Sequence, residues 1–379
     1  MAEQSRDELV NAFLSETGWG DAARAPLAGD ASTRSYLRLE GAGGRAVLMN
    51  APPAREEPAC PPDADDAARK ALGYNAVARL AGPDARPFAA IAGFLNANGL
   101  SAPKIIQADY ENGFLLIEDL GDAVFTRIIR NGMEEAPLYE AAVDALAVLH
   151  ERRAPTHLTA LRGGNVPLLE YDELALCAEV KLLTEWYLPA CTGRAVSPDL
   201  EAEYIGLWEE TLRFLGPGDD ILILRDYHAD NLLWLPDREG VARVGILDFQ
   251  DGLKGHRAYD LVSLLEDARR DVSPALAERM VAHYASRVMS TSHEFDLENF
   301  GLAYALLGLQ RNTKILGIFA RLWKRDGKPQ YPSYMPRVWA HVEHSLAHPA
   351  AANLKAWYDH HIPEEWRGAY LAAKVEAQE

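Results

Sequence analysis

The side chains with chemistry to offer gather in residues 221–251, ILILRDYHADNLLWLPDREGVARVGILDFQD. Two apolar, β-rich runs, 232–235 and 241–247, flank a polar break with Pro236, Asp237 and Gly240, which predicts a hairpin with a five-residue loop. Antiparallel pairing then brings Asn231, entering the hairpin, beside Asp248, leaving it. One amide oxygen and one carboxylate meet there, and a hard cation such as Mg²⁺ takes oxygen donors of this kind, completing its shell with water and phosphate. Asp226 stands five residues before Asn231, on the loop after the apolar strand 221–224, where it is placed to act as a base. His228 and Asp230 also form an H-x-D pair, but no third metal ligand stands near them. A surface hairpin with merely solvated acids is the remaining plain reading.

An Asp, an Asn five residues on and an Asp at the end of a hairpin resemble the catalytic loop and metal-binding Asp of protein kinases. At these residues the chain is similar to the aminoglycoside phosphotransferase and choline kinase group, the small-molecule relatives of those enzymes. The resemblance implies an α+β, protein-kinase-like bilobal fold: a small antiparallel-sheet N-lobe over 1–117, a hinge at 118–122, and a mainly helical C-lobe over 123–379 with the catalytic loop at 224–231. It implies a phosphotransferase with an alcohol group as acceptor, using ATP and Mg²⁺. Asp226 then orients and deprotonates the acceptor hydroxyl, while Asn231 and Asp248 hold Mg²⁺ against the ATP phosphates. The family's His two residues before the catalytic Asp is Leu224 here, with Arg225 between, and His228 is the candidate replacement. Asp260, before an apolar helix, matches the group's Asp that braces the catalytic loop; a helix N-cap is its other reading.

The elements that must position these groups follow along the chain. Residues 6–18 carry Leu9, Val10, Phe13 and Leu14 at helical spacing. Alternation of Leu37 and Leu39 with Arg38 and Glu40, a turn at 41–44 and the run 46–49 predict a β-hairpin. The loop before it, 29–34, is an ordinary turn by composition. By resemblance it covers the nucleotide phosphates with Gly29, Ser32 and Thr33, and Arg34 adds a cation. Kinases place a phosphate-binding Lys on the next strand and its partner Glu on a helix, yet 46–50 has no Lys and the predicted helix 88–98 no Glu. Arg34, or Lys70 from elsewhere, is left to serve. Residues 51–86 begin Pro-rich and acidic, continue Ala-rich, and read as a decoration on the small lobe. Strands are expected at 104–108 and 113–117, and the resemblance then places the adenine-binding backbone at Glu118 and Leu120.

Beyond 124 the pattern is helical, at 138–153, 166–188, 260–268, 275–289, 297–322, 334–346 and 354–358. Trp186 and its neighbours suit either core packing or a sugar face. Several stretches, among them GDASTRSY at 29–36, VLMNAPP at 47–53, LIEDLGD at 116–122, RDYHADNLL at 225–233 and LGLQRNTKILGIFARL at 307–322, resemble a narrower subgroup. These are the bacterial cell-wall recycling kinases that phosphorylate the anomeric hydroxyl of N-acetylmuramate and N-acetylglucosamine. That subgroup has Met in place of the small-lobe Lys, and Met49 fits it. Arg311 and Lys314, one helical turn apart, are candidates for the lactyl carboxylate of muramate, or else form a solvated basic face. Transfer to an aminoglycoside, an amino alcohol or another sugar, and a non-catalytic nucleotide-binding scaffold, are the alternatives.

Composition bounds the rest. A chain of 379 residues exceeds one compact core. Its net charge of −18 argues against nucleic-acid or anionic-membrane partners, whose binding is driven by Lys and Arg. Three cysteines without CxxC spacing predict a reducing compartment, and no signal-like start or membrane-length apolar run stands out, so a cytoplasmic protein without an obligate protein partner is expected.

Overall fold

The computed structural model describes residues 5–27, 34–53, 57–292 and 294–376. The chain gathers into two compact units, Met1–Leu169 with Leu224–Leu253, and Glu170–Ile223 with Lys254–Glu379. The first is therefore discontinuous in sequence.

In the first unit, helix α1 (Arg6–Glu16) starts with a reciprocal cap: the Ser5 hydroxyl accepts from the Glu8 N–H, and the Glu8 carboxylate accepts from the Ser5 N–H. Five antiparallel strands follow: β1 (Ala23–Leu27), β2 (Ser35–Gly41), β3 (Gly44–Asn50), β4 (Ile105–Asp109) and β5 (Phe114–Glu118). Their order in the sheet is β1-β2-β3-β5-β4. Alternation puts Leu39, Ala46, Leu48, Phe114 and Leu116 on one face, where Val10, Phe13 and Leu14 of α1 cover them. Phe13 and Phe114 stack at 5.4 Å, and removing either ring costs about 3–5 kcal/mol.

Helices α2 (Asp66–Leu72) and α3 (Tyr74–Val77) lie within the 51–86 segment, and α4 (Arg86–Ala97) carries a Pro in its first turn, where the missing N–H is not needed. Helices α5 (Phe125–Arg130) and α6 (Glu135–His150) and the small hairpin β6 (His157–Ala160), β7 (Gly164–Pro167) complete the contiguous part.

Strand β8 (Ile221–Ile223), in the second unit, leads into 224–253, which returns to the first unit as the hairpin β9 (Leu232–Trp234), β10 (Val244–Ile246). The hairpin forms, but its register is one residue off the expected pairing: Leu232 stands opposite Ile246, which puts Leu247 and not Asp248 across from Asn231, and the loop is longer than five residues. Gly240–Arg243 coil into a 3₁₀ turn instead of extending, so pairing begins only at Val244.

The second unit is helical: α7 (Glu173–Leu182), a π-helical turn (Leu183–Tyr187), α8 (Leu188–Thr192), α9 (Pro198–Leu212), α10 (Ala258–Leu265), α11 (Pro274–Thr291), α12 (Leu297–Lys324), α13 (Met335–Leu346), α14 (Ala352–His361) and α15 (Tyr370–Glu376). The 28-residue α12 packs against α7, α10 and α13. Gly317 permits the closest approach, since a Cβ there would meet the Leu182 backbone at 2.4 Å. The helix expected at 166–188 begins only at Glu173, because Gly164–Pro167 is a strand. No described helix is long and apolar enough to cross a membrane.

Candidate functional site

Three segments of the first unit fasten the loop 224–231. The Tyr227 hydroxyl donates to the Ala142 carbonyl of α6 at 2.9 Å. Thr126 of α5 donates to Asp230 at 2.7 Å. Arg225 is 2 % exposed, and its Nη1 donates to the carbonyls of Ala78 and Asp251, both at 3.3 Å. Leu224, which stands where the resembled family has His, is buried apolar surface, while His228 is buried with Nε2 3.4 Å from Asn231 Nδ2.

The hairpin sets the other end. Leu247 N–H donates to Asn231 O at 2.9 Å, Trp234 N–H to Ala123 O at 2.8 Å and Ile246 N–H to Ser101 O at 2.7 Å, so both hairpin strands are anchored. Asp248 then turns sharply, with φ at +57°, a left-handed conformation that Asp tolerates better than most residues. Arg225 shares this feature at +68°. Such strain concentrates where geometry is functional.

Asp226, Asn231 and Asp248 come together. Asn231 Nδ2 donates to the Asp226 carbonyl at 3.0 Å and lies 3.4 Å from Asp248 Oδ2. Gln250 Nε2 donates to Asp248 Oδ1 at 2.8 Å. Burial pushes the Asp248 carboxyl up to about 6, the Asp226 and Asp251 charges add to this, and the Gln250 bond and Arg34 oppose it. A desolvated carboxylate beside a second carboxylate is an environment that a divalent cation relieves, and the amide and carboxylate oxygens are donors that Mg²⁺ accepts. The residues present therefore fit that ion.

Arg34 lies close enough to influence both Asp248 and the half-buried Tyr36, and its Nη2 donates to the Gly82 carbonyl at 3.1 Å. Gly29, Ser32 and Thr33 lie outside the described residues. On β3, Met49 is buried, and Asn50 Oδ1 accepts from Arg6 Nε at 2.9 Å. Glu118 ends β5; its carboxylate accepts from Arg238 of the hairpin loop at 2.7 Å. The turn after it is gripped by Arg38, whose guanidinium reaches Asp119 at 2.8 Å and Asp122 at 2.9 Å. Leu120 is half-buried and packs toward Gly245 of the hairpin.

The other candidates belong to the second unit. Asp260 is fully buried in the first turn of α10, whose N-cap is Arg257, so Asp260 is not the cap. On α12, Lys314 Nζ pairs with the buried Glu179 carboxylate at 2.8 Å, and Gln310 donates to the same group at 3.2 Å. Arg311 is 5 % exposed and faces Glu266 and His341, so neither cation belongs to a solvated face. Trp186 is half-buried in the π-helical turn; its neighbour Tyr187 is wholly buried and accepts from Trp339 at 2.8 Å. Gln250, Asp251 and Thr126 escaped the sequence reading. The first two close the quoted 221–251 stretch, just after Asp248, which was the available signal.

Residues 24–295 match the model of the phosphotransferase enzyme family. A protein of Caulobacter vibrioides called N-acetylmuramate/N-acetylglucosamine kinase is 46% identical over 363 residues, covering 96% of this chain and 98% of that one. A Pseudomonas aeruginosa protein of the same name is 30% identical over 92% of this chain and 94% of its own length. Among solved structures, choline kinase LicA from Streptococcus pneumoniae superposes with a TM-score of 0.54 at 12% identity, covering 92% of this chain and 99% of that one. The aminoglycoside phosphotransferase APH(2'')-Ib gives 0.52 at 14% identity, over 90% and 97%. These two likenesses concern the fold alone, a kinase-like one of small antiparallel sheet and mostly helical remainder.

Proposed function

The chain belongs to the phosphotransferase enzyme family, and from that premise we propose that it is an ATP-dependent kinase acting on the C1 hydroxyl of N-acetylmuramate and N-acetylglucosamine. The observation that carries the acceptor is the relative of that name, 46% identical across 96% of this chain. The convergence of Asp226, Asn231 and Asp248 supports the reaction type.

In this reading Asp226 accepts the proton of the sugar hydroxyl as its oxygen bonds to the γ-phosphorus and the bond to the β-phosphate oxygen breaks, releasing ADP. An anomeric hydroxyl is more acidic than an ordinary alcohol, so a positioned carboxylate suffices. Asn231 and Asp248 would hold Mg²⁺, which when bound neutralises charge on the nucleotide phosphates. Arg34, with Gly29, Ser32 and Thr33, is assigned to those phosphates, and the backbone of Glu118 and Leu120 at the 118–122 hinge to the adenine. Arg225, His228 and Asp260 support the catalytic loop. Arg311 meets the lactyl carboxylate of muramate. Lys314 shares its charge with Glu179 and contributes through that pair, with Trp186 toward the sugar. The enzyme works in the cytoplasm, where ATP is abundant.

ATP consumption with each sugar, followed by phosphorus NMR of the product, tests the proposal. Mg²⁺-dependent phosphate at C1 is the expected result. Phosphate at C6, or transfer to an amine-bearing antibiotic instead, overturns the acceptor.

A further inference from the structure

The 51–86 segment has the composition of a surface decoration, but the turn that ends it spends its backbone on the candidate centre. The Ala78 carbonyl accepts from Arg225, the residue before Asp226, at 3.3 Å. The Ala81 N–H donates to the Asp251 carboxylate at 2.7 Å, and the Gly82 carbonyl accepts from Arg34 at 3.1 Å. Asp251 closes the circuit, since its own carbonyl accepts from the same Arg225 nitrogen at 3.3 Å. One short turn thus joins the residue beside the base, the residue three beyond the metal-binding Asp, and the cation at the end of the phosphate loop.

The turn is itself rigidly held. Arg69, 1 % exposed, donates from Nη2 to the Val77 carbonyl at 2.7 Å and from Nε to Ala76 at 3.4 Å. Gly82 has φ +57°, and a Cβ there would stand 2.9 Å from the Glu57 carbonyl, so position 82 accepts nothing larger without moving the turn. Immediately after it, Phe88 of α4 stacks on Phe249 at 4.7 Å, next to Asp248. A decoration would touch the body through exposed side chains; this segment does so through buried backbone.

We infer that the 78–82 turn is the positioning element of the phosphoryl-transfer centre, aligning Arg34 with the catalytic and metal-binding loops, and that Asp251 is the positioning residue through which it acts. The inference rests on the proposed roles of Asp226, Asn231, Asp248 and Arg34. It gives the segment the job that a strand Lys and helix Glu do in protein kinases, a pair this chain lacks. Displacing reacting groups by an ångström is enough to slow transfer severely.

The experiment measures kcat and KM for ATP and for N-acetylglucosamine in Asp251→Ala and Asp251→Asn, with thermal melts to confirm folding. Asp251→Ala is expected to raise KM for ATP and lower kcat about tenfold each, as for one lost hydrogen bond to a charged group, with KM for the sugar unchanged. Asp251→Asn, which keeps an oxygen for the Ala81 N–H, restores most of both. A folded Asp251→Ala with wild-type constants overturns the inference, as does an Asn variant as impaired as the Ala one, which assigns the carboxylate's charge instead. Should Asp251→Ala not fold, Gly82→Ala is held to the same outcome: the ATP-specific effect, or refutation. Asp226→Asn separates this from the underlying reading, because wild-type turnover in that variant rejects the centre itself, whatever Asp251 does.

Discussion

The amide nitrogen of Asn231 faces Asp248 Oδ2 at 3.4 Å while donating to the backbone of Asp226 at 3.0 Å. With the nitrogen so engaged, Oδ1 is the atom of Asn231 left for a cation. Asn231→Ala is expected to raise the half-saturating Mg²⁺ concentration by about tenfold or more, the loss of one oxygen ligand, with KM for the sugar unchanged. Initial rates across a Mg²⁺ titration at saturating sugar check this.

Asp226→Asn keeps the side-chain volume and removes the proposed base. Turnover is expected to fall by about 10²–10⁴, while ATP binding by calorimetry stays at the wild-type level. Loss of binding together with turnover would assign Asp226 to nucleotide contact.

The raised Asp248 pKa of about 6 makes cation binding at the proposed site pH-dependent. Below it the carboxyl is neutral and a poor ligand, so the Mg²⁺ requirement climbs as pH falls through 6 and binding there releases a proton. For the metal-free protein the sign is opposite in stability terms. A carboxyl whose folded pKa exceeds its unfolded value favours the fold most at low pH and loses that contribution as pH rises from about 4 through 6. Melting with and without Mg²⁺ between pH 5 and 8 should therefore show a larger Mg²⁺-induced rise in Tm at the alkaline end.

Glu266 offers a second titration. Burial pushes its carboxyl up to about 7, against bonds from Asn312 and Tyr304 and the charge of Arg311. Its contribution to stability is complete below the unfolded pKa and is lost as pH rises through 7. Glu266→Gln should flatten the fall of Tm between pH 5 and 8 and melt higher than wild type at pH 8; an unchanged slope would remove Glu266 as its source.

Arg311 and Lys314 should separate cleanly. Arg311→Ala is expected to raise KM for N-acetylmuramate more than about tenfold and leave N-acetylglucosamine, which lacks the carboxylate, close to wild type. Lys314→Met strands the buried Glu179 and should cost about 3–5 kcal/mol of stability, much of it recovered by adding Glu179→Gln. Denaturant melts of the single and double variants supply the comparison.

The hairpin was legible from its alternation and turn residues, but its register was not to the residue: Leu247 pairs with Asn231, and Asp248, one position on, comes within 3.4 Å of the Asn231 amide after its own sharp turn. Strand β1 was not, since ARAPL carries no β-branched or aromatic residue, includes a Pro and has four exposed residues. The β6, β7 pair was hidden likewise by Gly, Pro and polar residues. Lys314 looked like a free cation because Glu179, on another helix, is remote in sequence. The part of the 78–82 turn was invisible for a deeper reason: its contacts are made by backbone N–H and C=O groups, which every residue but Pro possesses.

The first unit is interrupted by 170–223 and resumes at 224–253. During synthesis the ribosome therefore releases the sheet and its helices well before the hairpin that bears Asn231 and Asp248. Until that hairpin emerges, the Ser101 and Ala123 carbonyls and the Ala81 N–H have no native partner. A nascent chain stalled short of residue 253 would therefore present these three backbone groups without the partners they have in the folded unit.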